Sequence, residues 1–158
     1  MITIPIEITV LVIVYTALLF FRWSDVSRNG LFSRTLLYLS VCVIIYFTLF
    51  PLSFSMDTAG RYNFIPYIDW AMGYGEYEAE TALNILLFIP YAISACRVGW
   101  SARRTVLTGI LISLIVEVAQ PVMTASRIFD ITDIINNTAG TCIGCLIFRL
   151  YTRIAERP

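Results

Sequence analysis

The chain has 158 residues, of which 58% are apolar and only 14% charged, and its mean hydropathy is +0.78. Soluble domains are about 45–50% apolar and about 25% charged, so this composition argues against a cytosolic enzyme, a nucleic-acid binder and a disordered region. Net charge is zero, with 11 basic residues, all Arg, against 11 acids, and neither Lys nor His occurs. Those absences exclude His-based triads, His-ligated zinc or haem, Schiff-base chemistry of the PLP kind and Walker-type nucleotide loops.

A membrane-spanning helix needs roughly 17–25 mostly apolar residues, and about five segments approach that length. The first runs from about Ile4 to Phe21. It starts Met1-Ile2-Thr3-Ile4-Pro5, without a basic stretch before it or a small-x-small cleavage site after it, so it reads as a retained span rather than a signal peptide. The second runs from about Leu36 to Leu52, and a long linker from about Ser53 to Glu80 follows. The third, about Thr81 to Cys96, is the shortest and carries Pro90 in its middle, where a kink is expected. The fourth runs from about Val106 to Met123 and the fifth from about Ile134 to Tyr151. None shows period-2 alternation, and backbone groups cannot go unpaired in hydrocarbon, so the segments predict an all-α polytopic bundle forming one integral membrane domain, residues 1–158.

Arg placement orients the bundle. Arg22, Arg28 and Arg34 fall in the linker after the first segment, Arg97, Arg103 and Arg104 after the third, and Arg149, Arg153 and Arg157 toward the C-terminus. With five spans these share one side, which the positive-inside rule makes cytoplasmic; the N-terminus is then outside and the C-terminus inside. The neutrality becomes a cancellation: nine Arg against Asp25 and Glu156 give +7 within, and nine acids against Arg61 and Arg127 give −7 outside. Cys142 and Cys145 have CxxC spacing, but inside a predicted span without His they read as small packing residues, while Cys42 and Cys96 stand alone.

Polar residues concentrate toward the outer side. The linker interleaves Tyr62, Phe64, Tyr67, Trp70, Tyr74 and Tyr77 with acids, a composition that suits the water–lipid interface. Its plain explanation is an aromatic belt with solvated acids. Glu80 and Asn84 share a helical face; Asn84 alone would read as an interhelical clamp. Ser113, Glu117 and Gln120 also share a face. Glu117 lies about one to two turns below the outer surface, where an ionisable group is costly and marks a functional site unless it merely locks two helices. Asp130, Asp133 and Asn137 form one stripe that continues into Gly140 and Gly144, a small-xxx-small strip allowing close helix approach. Helix N-capping explains one of the two acids but not the whole stripe. Under this topology Asn63, Asn84, Glu117, Gln120, Arg127, Asp130, Asp133 and Asn137 converge in one extracytoplasmic polar pocket.

The same residues carry a resemblance. Asn63-Phe64-Ile65-Pro66-Tyr67, then Asn84-Ile85-Leu86-Leu87-Phe88-Ile89-Pro90-Tyr91, then Glu117-x-x-Gln120, and finally Arg127-x-x-Asp130-x-x-Asp133-x-x-x-Asn137-x-x-Gly140 resemble the ordered blocks of the VanZ-like family, over about residues 63–144. One departure is Ala92, where the family often has Gly after the aromatic. The resemblance implies a multi-pass protein of the bacterial cytoplasmic membrane, linked to reduced susceptibility to lipid-tailed glycopeptides such as teicoplanin; it does not specify a mechanism.

Three functions remain open. In the first, the pocket binds an envelope amphiphile, lipid-linked cell-wall precursor or lipoglycopeptide: acids and amides hydrogen-bond sugars, peptide amides and amines, and the aromatic linker accepts acyl or sugar faces. In the second, the chain is a membrane enzyme acting on an envelope lipid or peptidoglycan precursor. Glu117, Asp130 and Asp133 are then the candidate catalytic acids and bases, or the oxygen ligands of a divalent cation, with Arg127 clamping a phosphate. The third is a small transporter in which the same acids relay protons or coordinate a cation; five spans without an internal repeat are few for that role. Membrane lipids are expected partners in all three, and nucleic acid in none.

Overall fold

The computed structural model describes residues 28–50, 52, 62–73, 77–124 and 127–155. The first expected span, residues 4–21, lies outside the described residues. Four of the described helices are long and apolar enough to cross a membrane: α1 (Arg28–Leu49), α3 (Tyr77–Arg97), α4 (Ala102–Met123) and α5 (Ile131–Ala155), with a short α2 (Ile68–Met72) between α1 and α3. Their lipid-facing surfaces carry exposed Leu, Ile, Val and Phe side chains throughout, as expected where the solvent is hydrocarbon.

Each long helix overruns its apolar window at one or both ends. Helix α1 begins at Arg28, so Arg28 and Arg34 belong to a helix rather than to the linker where the sequence reading puts them. The stretch 28–35 holds no Pro, its Gly30 costs the helix only about 1 kcal/mol, and long Arg side chains reach the interface from within a helix. Helix α3 likewise starts at Tyr77, taking Glu78 and Glu80 into its first turn where they favour the helix dipole. It continues through Pro90 for about two further turns. Ser101 caps α4, its hydroxyl accepting the Arg104 N–H at 3.3 Å.

The most extensive helix pair is α3 with α5, and glycine makes it. A Cβ on Gly140 would collide with the Ile85 carbonyl, and one on Gly144 would sit 2.6 Å from both the Ile89 carbonyl oxygen and Ala92 Cβ. The strip expected from the sequence is therefore where the two backbones touch. Gly109 admits Thr141 between α4 and α5 in the same way, a Cβ there lying 2.7 Å from Thr141 Oγ1. Ile44, Phe88, Tyr91, Ala92 and Val116 fill the core. Tyr91 places its hydroxyl 2.5 Å from Thr108 Oγ1 on α4. Cys145 meets Cys96 with Sγ atoms 3.6 Å apart, so Cys96 does not stand alone: α5 brings it a partner 49 residues away.

Helix directions alternate. Arg97 at the end of α3 donates from Nε to Ser33 Oγ near the start of α1, at 3.2 Å, and the short turn from α3 to α4 lies at the same end. Among the residues with described side chains, Arg34, Arg97, Arg103, Arg104, Arg149 and Arg153 occupy that basic end. Asp69, Glu78, Glu80, Glu117, Asp130 and Asp133 occupy the opposite, acidic half together with Arg127. The charge separation read from the sequence is thus present across the described helices.

Two loops close the acidic end. Tyr62–Asn63 (β1) and Phe129–Asp130 (β2) pair as parallel two-residue strands, Tyr62 opposite Phe129 and Asn63 opposite Asp130. Ring contacts reinforce the pairing, Phe64 lying 5.2 Å and Tyr62 6.1 Å from Phe129 between centroids. The aromatic linker is therefore stitched onto the start of α5.

Candidate functional site

The site is assembled on four elements at the acidic end. Asp130 is the residue before α5, and its Oδ1 accepts the Thr132 N–H at 2.7 Å, an N-cap that satisfies one of the helix's orphan donors. Capping leaves Oδ2 available, and Asn63 Nδ2 donates to it at 3.2 Å while also reaching Asp69 Oδ2 at 3.5 Å. The Asn63 side-chain Oδ1 accepts the Ile65 N–H at 3.1 Å, an Asx turn that fixes the amide's orientation. Asn63 and Asp130 are 67 residues apart in sequence, and it is the β1–β2 pairing that joins them.

Glu117 enters from α4. Its side chain is 1% exposed, and Oε2 accepts the backbone N–H of Asp130 at 3.1 Å. With α4 ending at Met123, the carboxyl lies about 9 Å below the helix end at 1.5 Å per residue. Asp133, one turn into α5, faces the Asn84 side chain of α3. Glu80, Asp130 and Arg127 are all within electrostatic reach of it, and Glu117 in turn feels Asp133, Asp130 and Arg127. Asn84, Glu117, Arg127, Asp130 and Asp133, drawn from α3, α4, the turn into α5 and the first turn of α5, are thus neighbours at the acidic end. Arg127 is the exposed one among them.

Asn137 forms the floor. It is 2% exposed, and its Nδ2 donates to Ser113 Oγ at 2.9 Å across the α4–α5 contact. Its Oδ1 is buried without a hydrogen-bond partner among the described residues. Buried polar atoms are nearly always paired, and an orphan costs about 1–3 kcal/mol. Gln120 has a different attachment: its Nε2 donates to the Thr48 carbonyl of α1 at 3.3 Å, tying the cluster's helix to α1.

Two further residues belong to the same region and were not singled out by the stripe. Thr132 Oγ1 accepts the Tyr67 N–H at 3.1 Å, and Asn136 Oδ1 accepts the Tyr67 hydroxyl at 3.4 Å while its Nδ2 reaches Thr81 Oγ1 at 3.5 Å. Both are buried. Tyr67 itself holds a left-handed backbone, φ +60°, which is uncommon for a bulky residue and is held here by these bonds to α5. The available signal was the adjacency of Asn136 and Asn137. Successive helical residues point about 100° apart, so two buried amides in a row mean that α5 is covered on two sides, by α3 and by α4.

Among the described residues, no three carboxylates or thiols are grouped so as to hold a metal ion. Both Asp130 oxygens and Oε2 of Glu117 accept from backbone and amide donors instead. What the arrangement offers chemically is an acid-rich, amide-lined surface with one exposed guanidinium, beside exposed Phe64, Ile65, Trp70 and Met72.

A family model described as VanZ/LLP1 matches residues 8–152. No curated protein and no solved structure matches the chain.

Proposed function

Taking as premise that the chain belongs to the VanZ/LLP1 family, we propose that it is a bacterial cytoplasmic-membrane protein whose acidic end faces outward and binds an envelope amphiphile. The observation that carries this reading is the buried, unpartnered Oδ1 of Asn137 beneath the Glu117–Asp130–Asp133 cluster. An orphan acceptor under three acids suits a ligand rich in donors, such as the hydroxyls, amides or amine of a lipid-linked cell-wall precursor or a lipoglycopeptide. The exposed side chains of Phe64, Ile65, Trp70 and Met72 supply an apolar rim for the acyl or sugar portion. Orientation follows from the Arg-rich end, which the positive-inside rule assigns to the cytoplasm. Binding is favoured over metal-assisted catalysis because, among the described residues, no three acids are grouped to hold an ion, and both Asp130 oxygens already accept from protein donors. A consequence of capture would be reduced susceptibility to lipid-tailed glycopeptides.

The test is lipid retention. Protein purified in mild detergent from a bacterial membrane is extracted, and its bound amphiphile is identified by mass spectrometry. Wild type is expected to retain a defined species that Glu117→Gln and Arg127→Ala lose while eluting and melting as folded protein. Equal retention in all three, or no retained species in wild type, refutes the reading.

A further inference from the structure

The opposite end of the bundle carries a second feature, independent of the acidic cluster. A cavity of about 380 Å³ lies between the start of α1 and the end of α3, lined by Gly30, Ser33, Arg34, Arg97 and Val98. That volume is at the small end of the roughly 300–1,000 Å³ typical of ligand clefts. Two of its described lining residues are arginines from different helices, and every acid with a described side chain lies in the other half of the bundle.

Arg97 is held in place. Its Nε donates to buried Ser33 Oγ at 3.2 Å, and its guanidinium carbon lies 5.5 Å from the centre of the Phe32 ring. With Nε used and one face against an aromatic, the terminal nitrogens remain as the planar fork that matches phosphate oxygens. Trp100, two residues past the cavity wall, stacks under the Arg104 guanidinium at 4.3 Å. An indole beside arginine at a helix end marks the headgroup level of a bilayer.

We propose that this cavity is a binding site for a phosphate-bearing anion, with Arg34 and Arg97 as the two clamps. Its depth at the headgroup level points to the phosphodiester of an anionic lipid; a soluble phosphate offers the same chemistry. Two guanidinium groups from different helices then share one anion across α1 and α3, so occupancy also joins those helices.

The probe is phosphatidylglycerol. Native mass spectrometry of protein taken from vesicles of phosphatidylcholine with phosphatidylglycerol is expected to show selective retention of phosphatidylglycerol. At about fivefold per direct arginine–phosphate hydrogen bond, Arg34→Gln/Arg97→Gln should lose retention by roughly twenty-five-fold. Arg103→Gln/Arg153→Gln removes equal charge from the same end outside the cavity and should change it less than threefold. If Arg97→Gln disturbs folding through the lost Ser33 bond, Arg34→Gln alone should still weaken retention about fivefold. A parallel titration with inorganic phosphate separates the sources: competition at millimolar concentration that depends on Arg34 supports the site with a soluble anion. Equal losses in the cavity and control variants, or no preference for either phosphate probe over phosphatidylcholine, overturn the proposal.

Discussion

Replacing Gly140 by alanine adds one methyl group where α3 and α5 touch. The new Cβ meets the Ile85 carbonyl, and its nearest neighbours are all main-chain atoms of α3, so no side-chain rotation can make room. Overpacking costs typically 1–3 kcal/mol, and a collision with backbone belongs at the upper end, about 3 kcal/mol. Alanine's better helix propensity returns up to about 1 kcal/mol. Moving the helices apart also weakens the Asn136–Thr81 hydrogen bond across the same interface, at about 0.6 kcal/mol for an interhelical bond in a membrane. The net expectation is a loss of about 3 kcal/mol. At roughly 2–4 °C per kcal/mol for a chain of this size, the midpoint of thermal unfolding in detergent, followed by size-exclusion, should fall by about 6–12 °C. Adding Ile85→Ala should not restore it, because the obstruction is the carbonyl and not the side chain. A Gly140→Ala protein that melts at or above the wild-type midpoint, or is rescued by Ile85→Ala, would refute the close-approach reasoning.

Asp130 separates capping from charge: Asp130→Ala should destabilise by about 0.5–2 kcal/mol through the lost cap, while Asp130→Asn retains a good N-cap and stability yet loses the retained amphiphile. Equal melting of the two variants would remove the cap from the account. Ser113→Ala leaves the buried Asn137 amide with neither end paired and should cost about 1–3 kcal/mol, whereas Ser113→Ala with Asn137→Leu should come close to neutral; denaturation midpoints of the two decide it. Orientation is testable by single cysteines at Trp70 and Ser101 in a chain whose own four cysteines are replaced. A membrane-impermeant maleimide should label Trp70→Cys from outside in intact cells and Ser101→Cys only after permeabilisation, and labelling of both from one side would reverse the assignment.

Much of the site was legible in the residues because helical periodicity is a local property. Asp130, Asp133 and Asn137 share a stripe whatever they pack against, and Gly140 and Gly144 below them could only be useful to a close neighbour. Helix ends were less legible. Hydropathy reports where hydrocarbon lies, but a helix continues until its hydrogen bonding stops, so Arg34 and Glu78 proved helical. The partnership of Asn136 with Tyr67 and Thr81 was hidden because a stripe describes one face, and α5 is covered on two.

Composition and order along the chain, by themselves, determined an all-α membrane bundle, the segregation of arginines from acids, and membership of the polar residues in one acidic end. Those properties follow from transfer energies and a 3.6-residue repeat, which need no knowledge of neighbours. Tertiary structure alone decided which atoms meet. The pairing of Tyr62–Asn63 with Phe129–Asp130 delivers an amide to a carboxylate 67 residues away. Helix α1 draws off Gln120, and Asn137 is left with an acceptor that no group among the described residues reaches. Contacts of that kind depend on how closely backbones approach, and here that distance is set by glycines whose missing side chains become informative only once the opposing helix is in place.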